Sequence, residues 1–317
     1  MKKFIAILLM LVMVLSLASC AGGTVMTMGT GGSAGTYYGY GSILAQQIKE
    51  TTGIGVTVVE TGGSKANIQG IDAGLYQLGT VQSDVLAYAW AGTSTFESDG
   101  KIDSFRVVGG LYAETVQLVT MNPDIKTVAD LKGKTVSIGE HGSGVYFNAI
   151  DVLGAAGLTE KDITPQYQSF ADSADALKDG KIDAAFIVAG APTPAIMDLC
   201  TSNKAYLVPI DGDVAAKLLQ DSPYYTEYKI PANTYTGQTE EVTTVTVKAT
   251  LIVSASASEE DVYNLTAAIF DNIDAIKADH PKGEELSLEN ATSGMEAPFH
   301  KGAAKYYAEK GFTVTAE

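Results

Sequence analysis

Met28-Gly29-Thr30-Gly31-Gly32-Ser33-Ala34-Gly35-Thr36-Tyr37-Tyr38 decides how the rest of the chain is read. The apolar residues before it, Thr24 to Met28, read as a short strand, and a helix is expected from about Gly39 to Lys49. Between them the glycines let the backbone turn sharply and approach a ligand. A helix start presents unpaired N–H groups with partial positive charge, so this loop is suited to an anion. Tyr37 and Tyr38 add flat surface and hydroxyls.

The same device recurs about a hundred residues on. Thr135–Ile138 reads as a strand, Gly139-Glu140-His141-Gly142-Ser143-Gly144 as a Gly/Ser loop, and Val145–Ala156 as a helix. Each half then continues with a strand, a serine-bearing turn, a helix and a strand. In the first half these are Val56–Val59, Thr61-Gly62-Gly63-Ser64-Lys65-Ala66-Asn67, Asn67–Ala73 and Gln77–Gln82. In the second they are Ile163–Gln168, Ser169–Ser173, Ala174–Asp179 and Ile182–Val188, ending at Gly190-Ala191-Pro192-Thr193-Pro194. Alternating strands and helices imply an α/β fold with parallel strands in each half, binding ligands at the carboxyl ends of the strands. Two such halves face to face make a cleft lined by Gly/Ser loops from both sides.

Two long β-branched runs, Leu111–Met121 and Val242–Val253, are long enough to cross between lobes. The expected organisation is a leader at 1–19, lobe I at 20–115 and 243–317, and lobe II at 116–242. Asp211–Gln238 is expected as an irregular Tyr- and Pro-rich excursion, and Glu259–Ala278 as one helix capped by Ser258.

The chain's outer properties narrow its function. Lys2 and Lys3, an apolar run from Phe4 to Leu15 and Leu17-Ala18-Ser19-Cys20 describe a secretory leader ending like a bacterial lipobox, with Cys20 the lipidated residue. Cys200 is the only other cysteine, which leaves no internal disulfide. With the two leading lysines removed, the 21 basic residues become 19 against 37 acidic ones, a net charge near −18. Nucleic acid and anionic membrane surfaces are thereby poor partners. Arg106 is the only arginine, and it lies outside the Gly/Ser loops. His141, His280 and His300 are scattered, without zinc-ligand spacing, so neither metal nor cofactor is expected. Gly29-x-Gly31-x-x-Ala34 with Glu60 imitates a dinucleotide fingerprint, but export and the tyrosine pair argue against a nucleotide enzyme. No histidine obviously belongs with an acid and a nucleophilic serine, which argues against a hydrolase.

Several tracts in order resemble one family, the TAXI solute receptors of tripartite ATP-independent periplasmic (TRAP) transporters. They are Gly-Ser-Ala-Gly-Thr-Tyr-Tyr at 32–38, Thr-Gly-Gly-Ser-x-x-Asn at 61–67, Val-Gln-Ser-Asp at 81–84, Leu-Tyr-x-Glu at 111–114, Asp-Leu-Lys-Gly-Lys-x-Val-Ser-x-Gly at 130–139, Gly-Ser-Gly at 142–144, Lys-Asp-Gly-Lys-Ile-Asp-Ala-Ala-Phe at 178–186 and Gly-Ala-Pro-Thr at 190–193. The resemblance implies a two-lobed type II periplasmic-binding-protein fold. It also implies capture of a small organic anion or an amino acid such as glutamate and its delivery to an ion-gradient-driven TRAP permease; with the lipobox, the chain reads as a non-enzymatic, lipid-anchored extracytoplasmic receptor. An ATP-driven importer is the alternative partner. In the closing tract, Lys301 and Lys305 stand where the family usually has proline and arginine.

The expected ligand contacts are Gly35, Tyr37, Tyr38, Ser64, Asn67, Gln82 and Ser83 from one lobe and Gly142, Ser143, Gly144, Pro192 and Thr193 from the other. Glu114 on the crossing strand is placed to pair with a ligand ammonium. Lys65, beside a binding loop, is a possible partner for a ligand carboxylate.

Overall fold

The computed structural model describes residues 24–202 and 204–317. The leader and Cys20 lie outside the described residues. Ten strands form one sheet: β1 (Val25–Gly29), β2 (Gly55–Val59), β3 (Leu78–Gln82), β4 (Phe105–Thr120), β5 (Thr135–Ser137), β6 (Thr164–Gln166), β7 (Ala184–Ala189), β8 (Tyr206–Val208), β9 (Thr226–Ile230) and β10 (Val242–Ser254). Their order is β2-β1-β3-β10-β4-β7-β5-β6, with β8 on β4 and β9 on β10. β1 pairs parallel with β2 and β3 at one end, and β5 pairs parallel with β6 and β7 at the other. Between them run β4 and β10, antiparallel to each other and to their outer neighbours β3 and β7. This is the two-lobed periplasmic-binding-protein fold.

The sheet is continuous because β4, a single strand of 16 residues, serves both ends. The core is not continuous. One apolar cluster draws on residues from Met26 to Tyr112 and again from Ala249 to Tyr307. Two others lie wholly between Val116 and Val247. The change of core falls within a few residues on both crossing strands. The β4–β10 register also slips between Lys248 and Thr250 at that level, as a bulge does.

Local chemistry explains the flanking elements. The first helix, Thr36–Thr52, buries Tyr40, Leu44 and Ile48 four residues apart on one face, and Gly53 ends it in the left-handed conformation. Burying a side chain such as Leu44 contributes about 1.5–3 kcal/mol. This helix begins three residues earlier than the sequence suggested, so Tyr37 and Tyr38 sit in its first turn.

Two expectations need correction. The 211–238 excursion holds a helix, Gly212–Asp221, and strand β9. The 259–278 helix breaks into Glu259–Phe270 and Ile273–Asp279. At the break Asp271 takes the Tyr306 hydroxyl at 2.8 Å and Lys310 at 2.7 Å, and the Asn272 side chain donates to the Ala268 carbonyl. The Asn272 side chain thus takes a carbonyl of the preceding helical turn.

Candidate functional site

Four helices begin around one cavity of about 140 Å³. Two belong to the first half of the chain: Thr36–Thr52, entered from the Gly31–Gly35 loop, and Ser64–Asp72, entered from Glu60–Gly63. Two belong to the second: Gly144–Ala155 and Phe170–Lys178. Among the described residues, no lysine, arginine or histidine lines the cavity, whereas Glu60, Glu114 and Glu140 do.

The two pairs of helix starts differ. Gly35 and Gly63 are the N-caps in the first half, and no side chain caps either helix. Gly63 has φ +101°, a conformation that favours glycine. In the second half, serines do the capping. Ser143 Oγ accepts from the Tyr146 N–H at 3.3 Å and donates to the Glu140 carbonyl at 2.7 Å. Ser169 Oγ accepts from the Asp172 N–H at 3.1 Å. The first half therefore keeps backbone donors for an anion, while the second half satisfies its own.

Side chains with unmet hydrogen-bonding capacity complete the walls. The Tyr37 hydroxyl, Gln82 Oε1 and Glu114 Oε1 are buried without a protein hydrogen bond, the Ser64 hydroxyl standing near Tyr37 but outside bonding geometry. Burial first, then the Glu114 carboxyl, holds the Tyr37 phenol well above its ordinary value, so it is a neutral donor. Burial pushes Glu114 up to about 8, against the opposing positive charge of Lys282. Lys282 is itself buried and paired with Glu285 at 2.6 Å. Burial, then Asp172, raises Glu140 as well. Phe170 and Val188 supply apolar surface, and the Phe170 ring lies against Gly35.

Of the expected contacts, the structure brings Gly35, Tyr37, Ser64, Gln82, Glu114, Ser143 and Gly144 to the cavity. The Ser143 hydroxyl is already used in capping. The others are placed elsewhere. Asn67 is wholly buried: its amide donates to the Thr30 and Thr80 carbonyls at 2.6 and 2.8 Å and accepts from the Thr61 hydroxyl at 2.6 Å. It fixes the loops that form the site and does not reach into it. Tyr38 follows the cavity residue Tyr37 on the helix, does not line the cavity and is partly exposed. Ser83 Oγ accepts from the Lys248 N–H at 3.1 Å. Gly142 supplies the left-handed turn before the Ser143 cap and does not line the cavity. Thr193 bonds Gly190, Gln117 and Tyr235, and its neighbour Pro192 follows a cis peptide bond outside the cavity. Lys65 pairs with Asp99 at 2.6 Å and is not a wall residue. Arg106 bonds the Asp103 and Phe105 carbonyls and Glu317. Sequence reasoning missed Glu60, Glu140 and Phe170 as wall residues. Their signal was position, since each lies in or beside a Gly/Ser turn.

The lobes are shut on each other. The Thr36 hydroxyl donates to the Gly190 carbonyl at 2.8 Å, and the Ala195 N–H to the Ala34 carbonyl at 3.0 Å. A cavity between two lobes, walled by helix starts and buried polar side chains, defines the class: a solute-binding protein of the periplasmic-binding-protein type. A family model described as the NMT1-like family matches residues 28–311, and the chain belongs to that family, whose members bind solutes and are not enzymes.

Among curated proteins, a putative aliphatic sulfonates-binding protein of Escherichia coli (strain K12) is 44% identical over 69 residues, 22% of this chain. The match spans about a fifth, 21%, of that relative. Among solved structures, a protein of Bordetella bronchiseptica RB50 is similar at TM-score 0.55 and 18% identity, covering 90% of this chain and 89% of that one. The alkanesulfonate-binding protein of Xanthomonas axonopodis pv. citri, solved with bound MOPS, is similar at TM-score 0.51 and 18% identity over 92% of each chain. Both likenesses concern the fold. No helix among the described residues is long and apolar enough to cross a membrane.

Proposed function

We propose that this chain is an extracytoplasmic receptor that captures one small solute carrying both a carboxylate and an ammonium, such as L-glutamate, and hands it to a membrane importer. The observation that carries the reading is the pairing of two glycine-capped helix starts with buried Glu114 across one cavity. The uncapped N–H groups suit an acid group. Glu114, in a wall without basic side chains, suits an ammonium. The cavity is well below the roughly 300–1,000 Å³ of sites for drug-sized ligands, which favours a small molecule. Solute contacts with both lobes would hold them shut, with β4 and β10 bending where the core changes hands. The lobes on this reading are 20–115 with 243–317, and 116–242.

A thermal-shift panel tests the ligand class. L-Glutamate, L-glutamine, succinate and ethanesulfonate are compared at equal concentration. Binding at a hundredfold excess over Kd adds about 2.7 kcal/mol, so at least one amino acid should raise Tm by several degrees. Stabilisation by ethanesulfonate or succinate alone would assign the site to plain anions and remove Glu114 from ligand binding.

For the importer, the relative named for aliphatic sulfonates and the fold likeness to a putative L-cystine ABC transporter of Listeria monocytogenes, at TM-score 0.51 and 17% identity, favour an ATP-driven permease. The ordered TAXI-like tracts favour an ion-gradient-driven TRAP permease as the second reading. Uptake by proteoliposomes bearing the permease encoded beside this chain separates them. Dependence on internal ATP supports the first, and dependence on an imposed ion gradient the second. A Cys20→Ser variant that leaves the membrane fraction would support the lipid anchor.

A further inference from the structure

Behind the cavity, a buried chain of side chains joins the lobes. Gln82 lies at the end of β3 and Asp84 in the first turn of the helix Ser83–Ala91. Asn148 and Asp151 face them from the helix Gly144–Ala155, and Tyr225 from the turn before β9. Gln82 Nε2 donates to Asn148 Oδ1 at 3.0 Å. The two amide hydrogens of Asn148 go to Asp84 Oδ2 at 2.9 Å and to the Tyr225 hydroxyl at 2.8 Å. Tyr225 in turn donates to Asp151 Oδ2 at 2.9 Å. Asn148 and Asp84 are wholly buried, and Gln82 is 2% exposed.

Both N–H groups and the oxygen of the Asn148 amide are engaged, and two of its three partners are on the opposite lobe. The fit around it is close: a Cβ on Gly144 would stand 1.7 Å from Gln82 Oε1. Gln82 Oε1 has no protein partner and lines the cavity. The same side chain therefore offers an acceptor to a solute and a donor to Asn148.

We propose that Asn148 is the closure latch of this receptor: it engages Gln82 and Asp84 only when the lobes meet, and so sets how long a solute stays bound. The inference rests on the two-lobed receptor reading and adds a positioning residue that does not line the cavity. Truncating Asn148 removes two inter-lobe bonds from the shut form. In the open form its amide would face water, where truncation changes little.

The latch also carries a pH signature. Burial, its largest cause, pushes Asp84 up to about 7 in the shut form, and Asp151 adds to this. Glu114 approaches from β4, Tyr37 from the first helix, Tyr88 from Asp84's own helix, Asp151 from the facing helix, and Tyr224 and Tyr225 from the turn before β9. The four tyrosines are held above their ordinary values and stay neutral. Lys282 and Tyr112 face Glu114 and oppose its rise, but burial outweighs them, so Asp84 and Glu114 both hold a proton more firmly when shut and closing takes up protons. Closure is then favoured most below the ordinary carboxylate range, and the advantage fades as pH rises through about 7 to 8.

The experiment is small-angle X-ray scattering of the purified protein at pH 5 and pH 8, with L-glutamate dissociation rates measured in parallel. Gly144→Ala, whose Cβ would push the Gln82 side chain off Asn148, gives a second unlatched reference. The wild type should be more compact at pH 5, with its shut-to-open ratio up at least about threefold. Asp84→Asn should lose at least half of that pH response. Asn148→Ala should scatter like Gly144→Ala and release L-glutamate about tenfold faster, at an unchanged association rate, which is about 1.4 kcal/mol. Asp84→Ala, which removes a latch partner outside the cavity wall, supplies the same reading if Asn148→Ala does not fold. Scattering of Asn148→Ala identical to wild type at both pH values, with an unaltered release rate, overturns the latch. If L-glutamate binds none of the proteins, the ligand reading fails, and scattering alone decides the latch.

Discussion

The two halves of this chain run through the same order of strand, loop and helix, yet they treat the starts of their helices in opposite ways. In the first half Gly35 and Gly63 stand at the N-caps, where no side chain competes for the exposed N–H groups. In the second half Ser143 and Ser169 stand there and turn their hydroxyls inward onto the helix. The first half is less self-sufficient and more available to a guest. The second half supplies walls: Phe170, Val188 and the Glu140 carboxyl. A repeated architecture therefore does not imply a repeated binding surface, and each helix start has to be read for what already occupies its donors.

Making the first half resemble the second would break this comparison most severely. Gly35→Asp places a capping carboxylate where the solute's acid group would lie, against the Phe170 ring. Affinity for the solute should fall by about 100-fold or more, roughly 2.7 kcal/mol, while calorimetry shows a Tm close to wild type. A collapse of Tm alongside the affinity would mean that the loop is structural only.

Glu114→Gln comes next. An ammonium would draw the proton off Glu114 and leave a charge-assisted pair, so losing the carboxyl should weaken an amino-acid ligand by about 10- to 100-fold, in line with about 1.5–3 kcal/mol for hydrogen bonds to charged groups. The protein without solute should become more stable at pH 7, because the buried carboxyl, pushed up to about 8, is replaced by an amide that needs no proton. The sign follows from linkage. A carboxyl raised in the folded state contributes most below its unfolded value, and that contribution is lost as pH rises through about 8. Equal stability of the two proteins at pH 5 and pH 8 would contradict the burial of Glu114.

Asn67→Ala should lower stability by about 2 kcal/mol, because it leaves the Thr30 and Thr80 carbonyls short of a donor. Urea unfolding measures it. Ser143→Ala should be milder, at about 1 kcal/mol for a lost N-cap, with solute affinity changed less than about threefold. If Ser143→Ala abolished binding at unchanged stability, its hydroxyl would belong to the solute and the contrast between the halves would fail.

Much of the frame was legible in the sequence, because strands and glycine turns carry strong local signals. The Gly/Ser loops, the two crossing runs and Glu114 on the first of them could be placed from residue type alone. Asn67 could not. An Asn beside a binding loop looks the same whether its amide meets a solute or three backbone and side-chain partners, and only tertiary geometry separates the two. The same holds for Ser143, whose capping bond depends on where the helix starts. Asn148 sits in an apolar helix, and its partners lie 66 and 64 residues back and 77 ahead. No spacing rule connects such positions. The Asp211–Gln238 stretch was misread because its tyrosines and prolines hid a strongly amphipathic helix whose buried residues are Ala215 and Leu218.

The most direct measurement is the amide shift map of the nitrogen-15-labelled protein with the tightest solute from the thermal-shift panel. The account predicts the largest hydrogen-bond-type shifts at the N–H groups of Thr36, Tyr37 and Ser64, with smaller ones at Tyr146 and Asp172, whose amides already bond Ser143 and Ser169. Saturable binding that moves Tyr146 and Asp172 most and leaves Thr36, Tyr37 and Ser64 in place would contradict it.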